Sequence, residues 1–239
     1  MIYPSMVHLG AEMGCRMDTS VVENAFVQAL SLAGVLPVVE LPSADCAAPL
    51  CEALLAAGCP VAEITLRSPA GLAALPTLRD AYPGVLLGAG TVRTTADARR
   101  AADAGAQFVV SPMTDPELIT LCRSLGIPAI PGSCTPTEIE AAARTGVSVV
   151  KFFPAAAMGG VAALTALAGP FRDVTFLPTG GIGPGNLASY LRLENVLACG
   201  GSWLVSRDLL AQGRFDRVES LTREALAIAE QARAEAAAS

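Results

Sequence analysis

The chain has 239 residues, 52% of them hydrophobic and 16% charged, which supplies a large core and excludes a disordered chain. Aromatic residues make up only 5%, so that core has to be built mainly from Ala, Val, Leu and Ile. A net charge of −6 argues against nucleic acid or an anionic membrane surface as the main partner, so any phosphate recognition must be local. Residues 1–17 show no hydrophobic period and are expected to form a flexible tail, with neither a basic leader nor the compact apolar run of a secretory signal. A single domain is expected over 18–239. Ser20-Val-Val-Glu23 has the pattern of a capping box opening a helix, and Gly34 supplies its stop. Short β-branched runs then alternate with Ala-rich amphipathic segments. Strands are predicted to begin near Val35, Val61, Val85, Gln107, Ile127, Val147, Val174 and Val196, at intervals of 20 to 27 residues. Each interval holds one strand, one helix and two short loops. Pro184 after Gly183 marks the first turn of the seventh helix, and a final helix runs from Arg214 to about Ala237.

Eight such units predict an α/β fold, a single (β/α)8 TIM barrel with the N-terminal helix closing the barrel bottom. A doubly wound open sheet is the competing architecture. It calls for a Gly-rich fingerprint after the first strand, and Val38-Val-Glu-Leu-Pro42 is not one. The longest uncharged stretch, Phe152 to Phe171, contains Pro154, Pro170 and three glycines. It divides into a strand end, a turn and a short helix rather than a membrane span. The seven cysteines are odd in number and none are spaced C-x-x-C, which fits a cytoplasmic, reducing compartment with thiols packed as small hydrophobes.

Two residue counts narrow the chemistry. One histidine, His8, removes the Ser-His and Cys-His nucleophile pairs and every multi-histidine metal site, so no metal is expected. One lysine, Lys151, stands against fifteen arginines. A lone strand lysine is commonly half of an ion pair or a solvated edge residue. Here positive charge is otherwise carried by Arg, and Lys151 sits in Val-Val-Lys-Phe-Phe, a run expected to be buried on both faces. Burial disfavours the ammonium, and a neutral amine, which Arg cannot supply, attacks carbonyls to form Schiff bases.

In a barrel the chemistry sits at the C-terminal ends of strands. With a period of two, Glu63, Thr65 and Arg67 share one face of the second strand, and Val149, Lys151 and Phe153 share one face of the sixth. The opposite, apolar sets are expected to meet the helices, which turns Glu63, Arg67 and Lys151 toward the barrel mouth. Glu63 could be a structural partner of Lys151 or Arg67; with no histidine at hand it is also the natural general acid/base, Glu40 being a weaker candidate. Gly180-Gly181 and Gly200-Gly201 follow the seventh and eighth strands, where barrels build phosphate sites from backbone N–H groups, with Thr179 and Ser202 adding hydroxyls. Gly88-Ala-Gly90-Thr91 lacks the later glycine of a dinucleotide fingerprint, and no Walker-type lysine follows a glycine run, so no nucleotide cofactor is expected.

At these residues the sequence resembles the 2-keto-3-deoxy-6-phosphogluconate (KDPG) and 4-hydroxy-2-oxoglutarate (KHG) aldolase family. The resemblance rests on Glu63-Ile-Thr-Leu-Arg67, Gly88-Ala-Gly-Thr-Val92, Lys151-Phe-Phe-Pro-Ala155, Gly169-Pro-Phe171, Pro178-Thr-Gly-Gly-Ile182 and Gly200-Gly-Ser-Trp-Leu204, and spans about residues 22–230. It implies a class I, cofactor-free lyase that splits KDPG into pyruvate and glyceraldehyde 3-phosphate in the Entner–Doudoroff route. Lys151 would form the Schiff base and Glu63 would transfer protons. Arg67 and Thr91 would hold the pyruvate carboxylate, with Phe153 and Pro112 lining the same pocket. Gly180, Gly181, Gly201 and Ser202 would bind the phosphate, with Thr179 beside them. The resemblance also implies a homotrimer acting on a small phosphorylated keto acid. Two places depart from the family pattern: Ala156-Ala-Met158, where many relatives carry a glutamate, and Val38-Val-Glu40, where the first strand is usually more uniformly apolar. Competing expectations are KHG or the galactonate-derived epimer of KDPG as substrate. Further from these stand an epimerase or decarboxylase working without an imine, and a barrel that binds its ligand without chemistry.

Overall fold

The computed structural model describes residues 19–238; the expected tail (1–17), His8 and Cys15 lie outside them. Parallel strands alternate with helices along the chain. The first four strands are β1 (Val35–Val39), β2 (Val61–Thr65), β3 (Leu86–Gly90) and β4 (Phe108–Val110). They continue as β5 (Ala129–Ile130), β6 (Gly132–Ser133), β7 (Val149–Phe152), β8 (Thr175–Phe176) and β9 (Cys199–Gly201). Helix α1 (Thr19–Ala33) precedes β1, α2 (Ala47–Ala57) follows it, α7 (Gly160–Leu167) follows β7, and α10 (Phe215–Ala237) is the last helix among the described residues. The result is an α/β fold around a curled parallel sheet, with hydrogen-bonded orders β5-β4-β3-β2-β1-β9 and β6-β7-β8.

Several of the helices start at side-chain caps. Those at Pro69–Ala81 (α3), Thr95–Asp103 (α4), Pro116–Ser124 (α5) and Pro136–Ala143 (α6) are N-capped by Ser68, Thr94, Asp115 and Thr135, each of whose side chains accepts a backbone N–H. Three of them place Pro in the first turn, where no N–H is missed, and Thr135 with Glu138 completes a capping box. Gly34, at φ +68°, ends α1 as expected. Strands β1 and β2 are buried at every position because both sheet faces are covered.

Three local expectations are corrected. Ser20 lies inside α1 rather than at its N-cap, because its backbone is already helical. Pro184 precedes rather than opens the helix Leu187–Leu191 (α8). The Asn186 side chain accepts from Gly183 N at 2.9 Å and donates to Gly181 O at 3.0 Å, closing a turn in between. The single fifth strand is divided at Pro131: β5 pairs with β4, β6 with β7, and the Pro131 carbonyl accepts from Lys151 N at 2.9 Å. Proline has no N–H to give a ladder, so the sheet changes partner there.

The Phe108 ring lies over the backbone of Gly88, where a Cβ would stand 2.1 Å from it, and its centroid is 4.5 Å from that of Phe26 of α1. On the far side, parallel bridges join Phe176 to Val196 and Thr179 to Gly200. Among the described residues no helix is long and apolar enough to cross a membrane.

Candidate active site

The C-terminal strand ends surround a cavity of about 260 Å³ lined by Glu63, Arg67, Thr91, Pro112, Lys151 and Phe153 on one side and by Thr179, Gly180, Gly181, Gly201 and Ser202 on the other. These are the residues the sequence singles out for the site, and the fold brings all of them to one place. Val38, Ile182 and Gly200 complete the lining. Val38 and Ile182 carry no chemical signal in a sequence, since an apolar residue at a strand end looks like core. Glu40 does not line the cavity.

Glu63 and Lys151 reach the cavity from β2 and β7. Both are buried, and Lys151 Nζ stands 3.8 Å from Glu63 Oε1 and 5.1 Å from the centre of the Phe153 ring. Neither carboxylate oxygen of Glu63 has a hydrogen-bond partner among the described residues. Burial pushes the Glu63 carboxyl above the usual carboxylate range, and the nearby charges of Lys151 and Arg67 offset this only partly. A carboxyl raised in this way can hold a proton and give it up at the site, and the primary amine beside it is a group that can add to a carbonyl.

Room for Glu63 comes from its neighbour strand. β2 and β3 pair Glu63 with Gly88, and a Cβ on Gly90 would stand 2.0 Å from Glu63 Oε1. Gly90→Ala is therefore expected to displace the carboxylate, lowering stability by about 1–3 kcal/mol and turnover by about 10²-fold. Thermal unfolding and steady-state rates check this; wild-type rates in a folded variant would refute it.

At the end of β3, Thr91 has φ +59°. A β-branched residue in the left-handed region is an outlier costing on the order of 1–3 kcal/mol, a strain found chiefly at functional sites. Just past β2, Arg67 is about half-exposed. Its Nε donates to Thr65 Oγ1 at 3.3 Å and lies 3.3 Å from Glu40 Oε2, and Thr65 donates in turn to the Val39 carbonyl at 2.8 Å.

The opposite wall is backbone. Gly180 and Gly181 take φ +99° and +74°, values favouring glycine, and a Cβ on Gly181 would stand 2.4 Å from that of Ala156. Ala155 N and Ala156 N donate to Thr179 O and Gly180 O at 2.8 and 3.0 Å, tying the loop after β7 to the loop after β8. The Thr179 hydroxyl donates to Leu177 O at 3.3 Å and would meet any Cβ on Gly200.

No thiol among the described residues lines this cavity. Burial pushes Cys51 and Cys59 to about 12 and Cys122 to about 11, in keeping with packing rather than reactivity.

Comparison with known proteins places the geometry in context. The family model for KDPG and KHG aldolase matches residues 27–221. The 2-dehydro-3-deoxy-phosphogluconate aldolase of Treponema pallidum is 46% identical over 201 residues, covering 84% of this chain and 96% of that protein. The KHG/KDPG aldolase of Escherichia coli K12 is 42% identical, covering 82% and 92%. Among solved structures, the KDPG aldolase of Legionella pneumophila, with pyruvate captured as a covalent carbinolamine, superimposes with a TM-score of 0.80 at 38% identity, covering 82% and 96%.

Proposed function

The chain belongs to the KDPG and KHG aldolase family, and from that premise we propose that it is a class I aldolase cleaving 2-dehydro-3-deoxy-6-phosphogluconate to pyruvate and glyceraldehyde 3-phosphate. The observation that carries this is the chain's one lysine, buried in the cavity 3.8 Å from a carboxylate with no hydrogen-bond partner among the described residues.

The steps follow from the groups present. The Lys151 amine adds to the substrate's C2 carbonyl, forming a carbinolamine. Glu63 delivers a proton to the departing hydroxyl, and loss of water leaves a protonated imine. Glu63, now a base, takes the proton of the C4 hydroxyl. The C3–C4 bond breaks, its electron pair flows toward the imine nitrogen to give an enamine, and the aldehyde departs. Glu63 returns the proton to C3, and water then hydrolyses the imine and frees pyruvate.

Arg67 and Thr91 hold the carboxylate, the guanidinium fixing its orientation, while Phe153 and Pro112 pack on the pyruvyl group. Gly180, Gly181, Gly201 and Ser202 receive the phosphate, with Thr179 holding the wall beside them. An electrically neutral cradle of N–H groups suits a chain of net charge −6.

The same proposal includes a closed eight-stranded barrel with α1 across its bottom as one domain over 18–239. The bridges from β8 toward β9 and the tilted ring contact of Phe26 with Phe108 support it. It also includes a homotrimer in the cytoplasm, supported by the family resemblance.

Borohydride reduction in the presence of pyruvate, followed by peptide mapping, is expected to leave a reduced pyruvyl adduct on Lys151. No adduct from folded protein at saturating pyruvate would overturn the imine. KHG is the second reading, favoured by the E. coli relative's name. Side-by-side turnover of KDPG, its galactonate epimer and KHG ranks the three, with KDPG expected ahead of KHG because only phosphorylated substrates use the glycine loops.

A further inference from the structure

We propose that Glu40 is a positioning residue for this reaction: clasped by Arg207, it pins Nε of Arg67 and so holds the guanidinium ready for the substrate carboxylate. This rests on the aldolase reading for its effect on substrate, although the clasp itself stands on geometry.

Arg67 has left the strand by the time it reaches the cavity, and its side chain is 47% exposed. A long side chain in that setting has many rotamers to lose when a ligand immobilises it. Two groups already restrict it. Thr65 Oγ1, held by its own bond to Val39 O, accepts from Nε at 3.3 Å, and Glu40 Oε2 stands at the same 3.3 Å. Nε gives its one hydrogen to Thr65 Oγ1 and faces Glu40 Oε2 as an ion pair, so both partners sit at the inner nitrogen and the outer fork is left for a carboxylate.

Glu40 is in turn fixed from its other oxygen: Oε1 lies 3.7 Å from Arg207 Nε. Arg207 opens the short helix Arg207–Ala211 (α9), shortly after the Ser202 wall of the cavity. The clasp thus joins the ends of β2 and β1 to the segment after β9, three strands that lie side by side in the sheet. It carries one carboxylate between two guanidinium groups, so its net charge stays positive and an anionic substrate is not repelled. The departure of the first strand from an apolar pattern at Glu40 then has a role. Pinning the side chain before substrate arrives lowers the entropic cost of binding.

The pin is read both in KM and in the guanidinium itself. Glu40→Ala is expected to raise KM for KDPG about 3- to 10-fold with kcat within about 2-fold of wild type. Glu40→Gln, which keeps the shape but loses the charge that makes the ion pair, is expected to raise KM by a similar factor, because Thr65 takes the Nε–H and Glu40 acts through its charge. Independently of turnover, the Arg67 Nε–H resonance, assigned by its loss in Arg67→Lys, should be sharp in wild type and broadened in Glu40→Ala. An unchanged KM, a lower KM, a wild-type KM in Glu40→Gln, or an unaltered Arg67 resonance would each overturn the proposal. If wild-type protein forms no adduct with pyruvate, the aldolase reading fails, while the Arg67 resonance still decides the clasp.

Discussion

Lys151→Arg is expected to lower aldol cleavage on the order of 10⁴-fold or more and to abolish borohydride trapping with pyruvate. Arginine keeps a positive charge beside Glu63 but has no free electron pair to add to a carbonyl at accessible pH. The variant should retain the wild-type circular dichroism spectrum, since the charge 3.8 Å from Glu63 is preserved and only a fork is added at the cavity wall. No other side chain in the sequence can take over, because the chain has no second lysine. Residual turnover within about 10²-fold of wild type, in a preparation free of wild-type protein, would rule out a covalent mechanism through this amine.

Glu63→Gln is expected to have the next largest effect, a fall of about 10²- to 10⁴-fold in kcat with little change in KM. Glutamine fills the same volume and keeps the pocket's shape, but it cannot carry a proton between the carbinolamine, the C4 hydroxyl and C3. The wild-type pH–rate profile should contain a limb above the ordinary carboxylate range, because burial raises the Glu63 carboxyl, and that limb should vanish in the variant. The same shift has a consequence for stability. With its folded pKa above its unfolded one, Glu63 favours folding fully below the unfolded carboxylate pKa. That contribution is lost as pH rises through the folded pKa. Wild-type melting temperature, relative to Glu63→Gln, should therefore decline as pH is raised from about 4 toward 8. A difference that grows in favour of wild type over that interval would mean the pairing with Lys151 outweighs burial.

Glu63, Lys151 and the glycine loops show how far side-chain type and spacing reach. A lone lysine within a doubly apolar strand and a carboxylate two residues before a threonine are both legible, because strand alternation and burial are local consequences of sequence. So are the helix starts at Ser68, Thr94, Asp115 and Thr135, where the cap and the backbone it serves lie within three residues of each other. Ser20 and Pro184 show the limit of the same rules. Each has a helix-start pattern, but Ser20 already lies within α1, and after Pro184 the Asn186 side chain closes a turn on Gly183 and Gly181 before α8 begins.

The clasp on Arg67 was out of reach of such rules. Nothing near Glu40 in the sequence names Arg207, since the two meet only when the first strand lies beside the last. Thr91 reads as an ordinary residue after a glycine, and its φ of +59° exists only in the folded chain. The need for Gly90 depends on the carboxylate across the sheet, and the division of the fifth strand at Pro131 depends on which neighbours β4 and β7 present.

By itself, then, the sequence determined the alternation of strands and helices, the apolar faces, the scarcity of histidine and lysine, and hence the class of chemistry. These follow from steric period, hydrophobicity and the reactivity of single side chains. Tertiary structure alone decided that Glu63 and Lys151 stand 3.8 Å apart, with no hydrogen-bond partner for the carboxylate among the described residues, and that Arg67 is held by Glu40. Distances between strand ends are set by sheet register and curl, which arise from packing the whole chain at once.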